Sequence, residues 1–280
     1  MSAPVPAGLR ERLIRNTVYG IGGRILGLAV TFVLTPFVVS RLGTEVYGIY
    51  ALASVLTGYL ALLDLGLGTG YVKYVAEAAA RDDEAGVNEV LATGFWSYLG
   101  FGLLLFLGWL PIATRVPGWL GIAEPLRPLA ARAFTVAVGV LALSGAAAAF
   151  RAVLYGLQRI DLATRVGVWL TLPRLLLTLA VLHAGHGLLG LVTADLALFL
   201  AGTAVMAAAS LRVWPRLTLS PRRASVACLR RLVGYGAQLQ VSRLAEMANF
   251  QLDKLLLSRF VGLRSVTDYD LGARTLSTGR

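Results

Sequence analysis

Charge is what this sequence has least of. Only 15% of its 280 residues are Asp, Glu, Lys or Arg, where an ordinary soluble domain carries about 25%. A soluble chain of this length needs a charged surface around its core. With 57% hydrophobic residues, the shortage means that lipid solvates much of the surface. Cysteine is nearly absent. The single Cys228 excludes an intrachain disulfide framework and any multi-cysteine metal site. Histidine is limited to His183 and His186, in a tight turn whose spacing is unlike the helical His-Glu-x-x-His motif. No Walker-type phosphate loop appears. No long loop carries the clustered carboxylates that glycosyl transfer needs. These absences leave no metal, cofactor or catalytic residue to assign, and the chain reads as a non-enzyme.

What is present is a series of apolar segments of roughly 20 residues, each long enough to cross about 30 Å of hydrocarbon as a helix. The sequence predicts helices over 17–40, 46–70, 89–110, 130–150, 166–184, 187–210 and 233–257, with an eighth beginning near 266. The N-terminal run is too long for a signal-peptide core and reads as a retained first helix. The fold class is therefore all-α and integral to the membrane. Net charge is +11, nearly all of it arginine. These arginines sit in short clusters between apolar runs rather than on one contiguous face, which argues against nucleic acid and for loop topology. Arg10, Arg12, Arg15, Lys73, Arg81, Arg151, Arg159, Arg165 and the arginines of 212–231 gather on one side. By the positive-inside rule that side, with the N-terminus, is cytoplasmic.

The segment RVWPRLTLSPRRASVACLRRLV is the longest and most basic linker. It divides the chain into a six-helix lobe over 1–210, a cytoplasmic linker over 211–232 and the start of a second lobe over 233–280. An internal repeat falls on the same division. SRLGTEVYGIYALA from Ser40 and SRFVGLRSVTDYDLGA from Ser258 share Ser-Arg, a glycine-containing turn and a tyrosine, offset by 218 to 219 residues. Six helices is an even number, so the second unit re-enters from the same side and the repeat is parallel. With the chain stopping at Arg280, the second lobe is expected to be a fragment.

The stretch from Thr35 to Glu77 carries a resemblance. Arg41-Leu42-Gly43, Tyr47-Gly48 and Asp64-Leu65-Gly66-Leu67-Gly68 are similar to the opening of bacterial polysaccharide biosynthesis proteins, the O-antigen-type flippases of lipid-linked oligosaccharides. LYGLQRIDLATRVGV from Leu154 and QLDKLLLSRFVG from Gln251 resemble later segments of that family. Asp268 and Asp270 depart from it, standing where apolar residues are expected around the tyrosine. The resemblance covers about the first 60% of a full-length member. It implies a MATE-like, two-lobed transporter of the inner membrane, working by alternating access. The implied cargo is a polyprenyl-diphosphate-linked glycan, and the implied partners are membrane lipids and other polysaccharide-assembly proteins.

A diphosphate headgroup needs cations inside an apolar protein, where charge costs about 2.5–3.5 kcal/mol and normally faces a cavity or a partner. Arg24, Arg174 after Pro173, and Arg243 are the candidate cavity cations. The alternatives are snorkelling for Arg24, a structural carboxylate pair for Arg174 and a local pair with Glu246 for Arg243. Asp64, Asp195 and Glu246 are candidate ion-coupling carboxylates, against structural hydrogen-bonded roles. Asp253 and Lys254 read as interfacial. Gly23, Gly27, Gly66 and Gly70 make small-residue packing faces, and Pro36 is a candidate bend. A drug–cation antiporter, which predicts a carboxylate-rich cavity, is the competing transport reading. A glycan polymerase or ligase, which predicts a long outward loop, and an inactive truncated membrane protein are the others.

Overall fold

The computed structural model describes the backbone over 7–61 and 67–277. Side chains are described over the same ranges except 7–21, 24, 59–61, 67–69, 238–252, 255 and 273–277. The described residues are helical apart from turns and the partly extended segment 214–225. In order they are α1 (Ala7–Leu42), α2 (Thr44–Ala61), α3 (Leu67–Ala80), α4 (Glu84–Trp109), the single turn α5 (Val116–Trp119), α6 (Arg127–Gly156), α7 (Ile160–His183), α8 (Gly187–Val213), α9 (Val226–Phe260) and α10 (Leu263–Ser277). Among the described residues, five spans are long and apolar enough to cross a membrane: Ile25–Leu42, Glu84–Trp109, Glu124–Gly156, Ile160–His183 and Gly187–Val213.

The expected helices 3 to 6 fall where hydropathy puts them, within a few residues. Of the second expected helix, 46–70, the described residues give α2 up to Ala61 and α3 from Leu67, while 62–66 lie outside the described residues. The seventh is longer than its apolar core, since Ser225 caps α9 by accepting from the Cys228 N–H at 3.4 Å. No α-helix is formed between Val213, where α8 ends, and Val226, where α9 begins.

α1 and α2 meet at a one-residue turn. Gly43 sits at φ +79°, a left-handed conformation that L side chains enter at a cost of roughly 1–2 kcal/mol. Its N–H closes α1 on Val39 O at 2.9 Å. The turn between α9 and α10 repeats the device, with Gly262 at φ +117°. The two glycines hold equivalent places in the internal repeat. Their turns mark one end of the molecule, here called the glycine-turn end; the segment 214–225 marks the opposite, linker end.

Two apolar clusters hold the helices together. Tyr47, Leu52, Phe134 and Leu188 centre the one at the glycine-turn end, and Tyr71, Leu91, Val153 and Leu232 the one at the linker end. Glycine lets helices approach closely within them. A Cβ on Gly102 of α4 would lie 2.0 Å from Ala142 O of α6. One on Gly94 would enter the Tyr71 ring, which stacks on Tyr98 at 5.7 Å.

The linker is strapped to α4. Asn88 donates to Arg216 O at 3.1 Å and accepts from Thr218 N at 2.8 Å. Trp96 donates to Leu219 O at 2.8 Å, Thr93 accepts from Ser225 N at 2.9 Å, and Glu84 pairs with Arg216. Hydropathy and charge reveal the linker, but not that α4 satisfies its backbone.

Candidate functional site

α1, α2, α7 and α8 enclose a cavity of about 770 Å³. Its walls are largely apolar, with Leu28, Val30, Leu34 and Val38 from α1 and Leu170 from α7. Thr31, Thr35 and Thr171 also line it, but their hydroxyls donate to the carbonyls of Gly27, Thr31 and Gly167 in their own helices. The cavity is closed at the glycine-turn end, where Val38, Tyr47, Thr178 and Leu191 are all under 10% exposed. Toward the linker end Leu28 is 40% exposed and Gly167 is open.

Its polar chemistry is concentrated in three side chains. Arg174 Nε lies 3.7 Å from Asp195 Oδ1, and the Tyr50 hydroxyl donates to Asp195 Oδ2 at 3.0 Å. The arginine side chain is 56% exposed and the carboxylate 30%. Arg174 is thus carboxylate-paired and lines the cavity. Pro173 stands inside α7 one residue before it, leaving the Trp169 carbonyl without its helical partner. The same three residues border a second cavity of about 340 Å³ toward α6, with Ser54, Thr57 and Ser144. They form the partition between the two spaces.

A second ion pair lies just behind the floor. Lys254 of α9 donates to Asp270 Oδ1 of α10 at 2.5 Å, with the two side chains 15% and 5% exposed. The Tyr47 hydroxyl donates to Asp270 Oδ2 at 2.9 Å. The Lys254 side chain is thus largely enclosed by protein. Asp270 departs from the family pattern at no cost in unpaired charge. Beside it, Tyr269 donates to Asp253 at 2.5 Å. Tyr47 and Tyr50 are three residues apart on one face of α2, with rings 6.2 Å apart, and each hydroxyl serves one carboxylate of an ion pair. That spacing was visible in the sequence, but their partners, 145 and 223 residues away, were not.

The motif residues have structural places. Gly48 lets α10 approach α2, since a Cβ there would meet Leu263 O at 2.7 Å. Arg41 stacks over Phe37 at 5.5 Å, near His183 Nδ1 at 3.5 Å. Gly23 packs on Val168 and Gly70 on Leu232. Gly68 belongs to the first turn of α3. Asp64 and Gly66 lie outside the described residues, as do the side chains of Arg24, Arg243 and Glu246. Among the described residues, no group of three His, Cys, Asp or Glu is placed to hold a metal.

The family model for Polysaccharide biosynthesis protein matches residues 13–280. A comparison with curated proteins finds no match. Solved structures share the fold. An inward-facing MATE family multidrug resistance transporter of the MOP superfamily aligns with a TM-score of 0.75 at 17% identity, over 96% of this chain and 62% of its own. The outward-facing conformation of a transporter so described gives 0.69 at 18% identity, over 95% and 66%. A MOP superfamily transporter from Pyrococcus furiosus, whose binding pocket is described as reversed in polarity, gives 0.67 at 17% identity, over 94% and 64%. The chain thus spans a little under two thirds of the length of these transporters. It is a multi-pass membrane protein that belongs to the Polysaccharide biosynthesis protein family and has a MATE-like fold.

Proposed function

We propose that this chain is the first lobe, with the opening helices of the second, of a flippase. Its cargo is a polyprenyl-diphosphate-linked oligosaccharide for cell-surface polysaccharide, carried across the inner membrane by alternating access. The observation that carries the reading is Arg174, whose side chain is 56% exposed in a cavity with largely apolar walls. A guanidinium can bind a diphosphate through paired, charge-assisted hydrogen bonds, while apolar walls suit lipid. Family membership supplies the class of cargo. Lobe boundaries at 1–210, 211–232 and 233–280, and a cytoplasmic N-terminus, complete the proposal. They rest on the basic linker, the paired glycine turns and the arginine distribution. In this orientation the cavity opens toward the cytoplasm. Arg24 and Arg243 are proposed as further substrate cations, and Asp64, Asp195 and Glu246 as coupling carboxylates.

The second reading, a cation antiporter, is favoured by Asp195 in the same cavity. Binding of a short-chain polyprenyl diphosphate to the purified protein separates the two. The flippase reading expects Arg174→Ala to weaken it at least tenfold and leave a cationic dye unaffected. Dye binding lost in Asp195→Asn, with diphosphate binding indifferent to Arg174, supports the antiporter.

A further inference from the structure

We infer that Tyr47, Asp270 and Lys254 form a latch that shuts the cavity at the glycine-turn end. The cavity opens at that end only when the Tyr47–Asp270 bond breaks.

Tyr47 is the element that makes this a latch. It is a wall of the cavity and is 1% exposed, and its hydroxyl reaches across to a carboxylate on α10. Asp270 is fixed by Lys254 within the α9–α10 hairpin. The adjacent Tyr269–Asp253 bond staples the same two helices, so the hairpin carries the carboxylate as one body. Other described contacts between hairpin and α2 are one hydrogen bond, apolar packing of Leu263 and Val266 in the cluster around Tyr47, and an exposed ion pair. Thr267 donates to Thr44 O at 2.7 Å, and Gly48 gives room to the Leu263 carbonyl. Glu45 and Arg264 pair at 3.5 Å with side chains 51% and 78% exposed, a geometry that contributes little. On the far side of the hairpin, Ser258 donates to Leu120 O at 2.5 Å. All of these contacts lie at one end of the cavity, and the Tyr47 hydroxyl is the charge-assisted bond from the floor itself.

A buried ion pair whose partners lie on one hairpin keeps its charges compensated whether or not Tyr47 is bound. The hairpin can therefore part from α2 without stranding a charge, as a reversible closure requires. A hydrogen bond to a charged group biases such an equilibrium by on the order of 10- to 100-fold.

The test uses the full chain in nanodiscs, with Cys228→Ser as background and nitroxides at Ser40→Cys and Val261→Cys. These exposed positions flank the two glycine turns. Pulsed electron–electron distance measurements should give one short distance in the background protein. Tyr47→Phe, which deletes only the hydroxyl, should add a longer population and raise the open-to-closed ratio at least tenfold. A Lys254→Ala/Asp270→Ala double substitution removes both charges together and should do the same. An unchanged single distance in both variants overturns the latch. The inference stands on contacts alone, so it is independent of what the cavity carries.

Discussion

Replacing Asp195 by Asn should strengthen anion binding in the main cavity, and replacing Tyr50 by Phe should weaken it. The guanidinium of Arg174 has one described carboxylate partner, at 3.7 Å, longer than a well-formed charge-assisted hydrogen bond of about 2.8 Å. With more than half of the arginine side chain exposed, the pair is worth no more than about 1 kcal/mol. Asparagine keeps the shape and still accepts from Tyr50, but drops the charge that competes with an arriving phosphate. Removing a competitor worth up to about 1 kcal/mol raises affinity by up to roughly fivefold. Tyr50→Phe acts in the other direction. The hydroxyl holds Oδ2 at 3.0 Å, and its loss leaves the carboxylate to lean on Arg174 alone. The arginine becomes less available, and diphosphate affinity falls by about two- to fivefold, within the same limit on the pair's strength. Titration calorimetry with a short-chain polyprenyl diphosphate at fixed ionic strength reads both changes, and their opposite signs are the signature. If Asp195→Asn weakens binding as severely as Arg174→Ala, the carboxylate positions the guanidinium rather than competing for it, and the reasoning fails.

Three further outcomes follow from packing and burial. Gly102→Ala should destabilise the protein by about 1–3 kcal/mol, because its Cβ would lie 2.0 Å from the backbone oxygen of Ala142; thermal unfolding in detergent reads the loss. Asn88→Ala removes both bonds that hold the backbone at Arg216 and Thr218, and should speed tryptic cleavage after Arg216, Arg222 and Arg223 severalfold while leaving cleavage outside the linker unchanged. Burial pushes the Cys228 thiol up from its ordinary value, outweighing the Thr93 hydrogen bond, so little thiolate forms at pH 7. Maleimide labelling of the folded protein should be at least tenfold slower than of the unfolded chain, and should rise with pH up to a higher midpoint than that of a free thiol.

Periodic, one-dimensional signals were legible in the sequence. The apolar runs at α4 and α6 to α8 are long and bounded by arginines, so hydropathy places them to within a few residues. The turns at Gly43 and Gly262 were visible as matched motifs, because a one-residue reversal calls for a residue that tolerates positive φ. Contacts made across the bundle were hidden. Asp270 looked misplaced because its compensation comes from Lys254, 16 residues earlier across a hairpin, and from Tyr47 on α2. Tyr50 gave no signal beyond its place in the repeat and its spacing from Tyr47. Its significance comes from Asp195, which only the packing of α2 against α8 brings within reach. The strap formed by Asn88, Thr93 and Trp96 was hidden for the same reason, since an extended linker reads as free until a helix is found to satisfy its backbone.

The central claim is that Arg174 marks a cavity for the anionic headgroup of a lipid-linked glycan. Its most direct test is translocation in proteoliposomes, measured as the appearance of a lipid-diphosphate-linked sugar at the opposite leaflet, where an added lectin or hydrolase can reach it. The account predicts transfer that Arg174→Ala reduces at least tenfold and Arg174→Lys restores in part. Transfer at an unchanged rate in Arg174→Ala would contradict it.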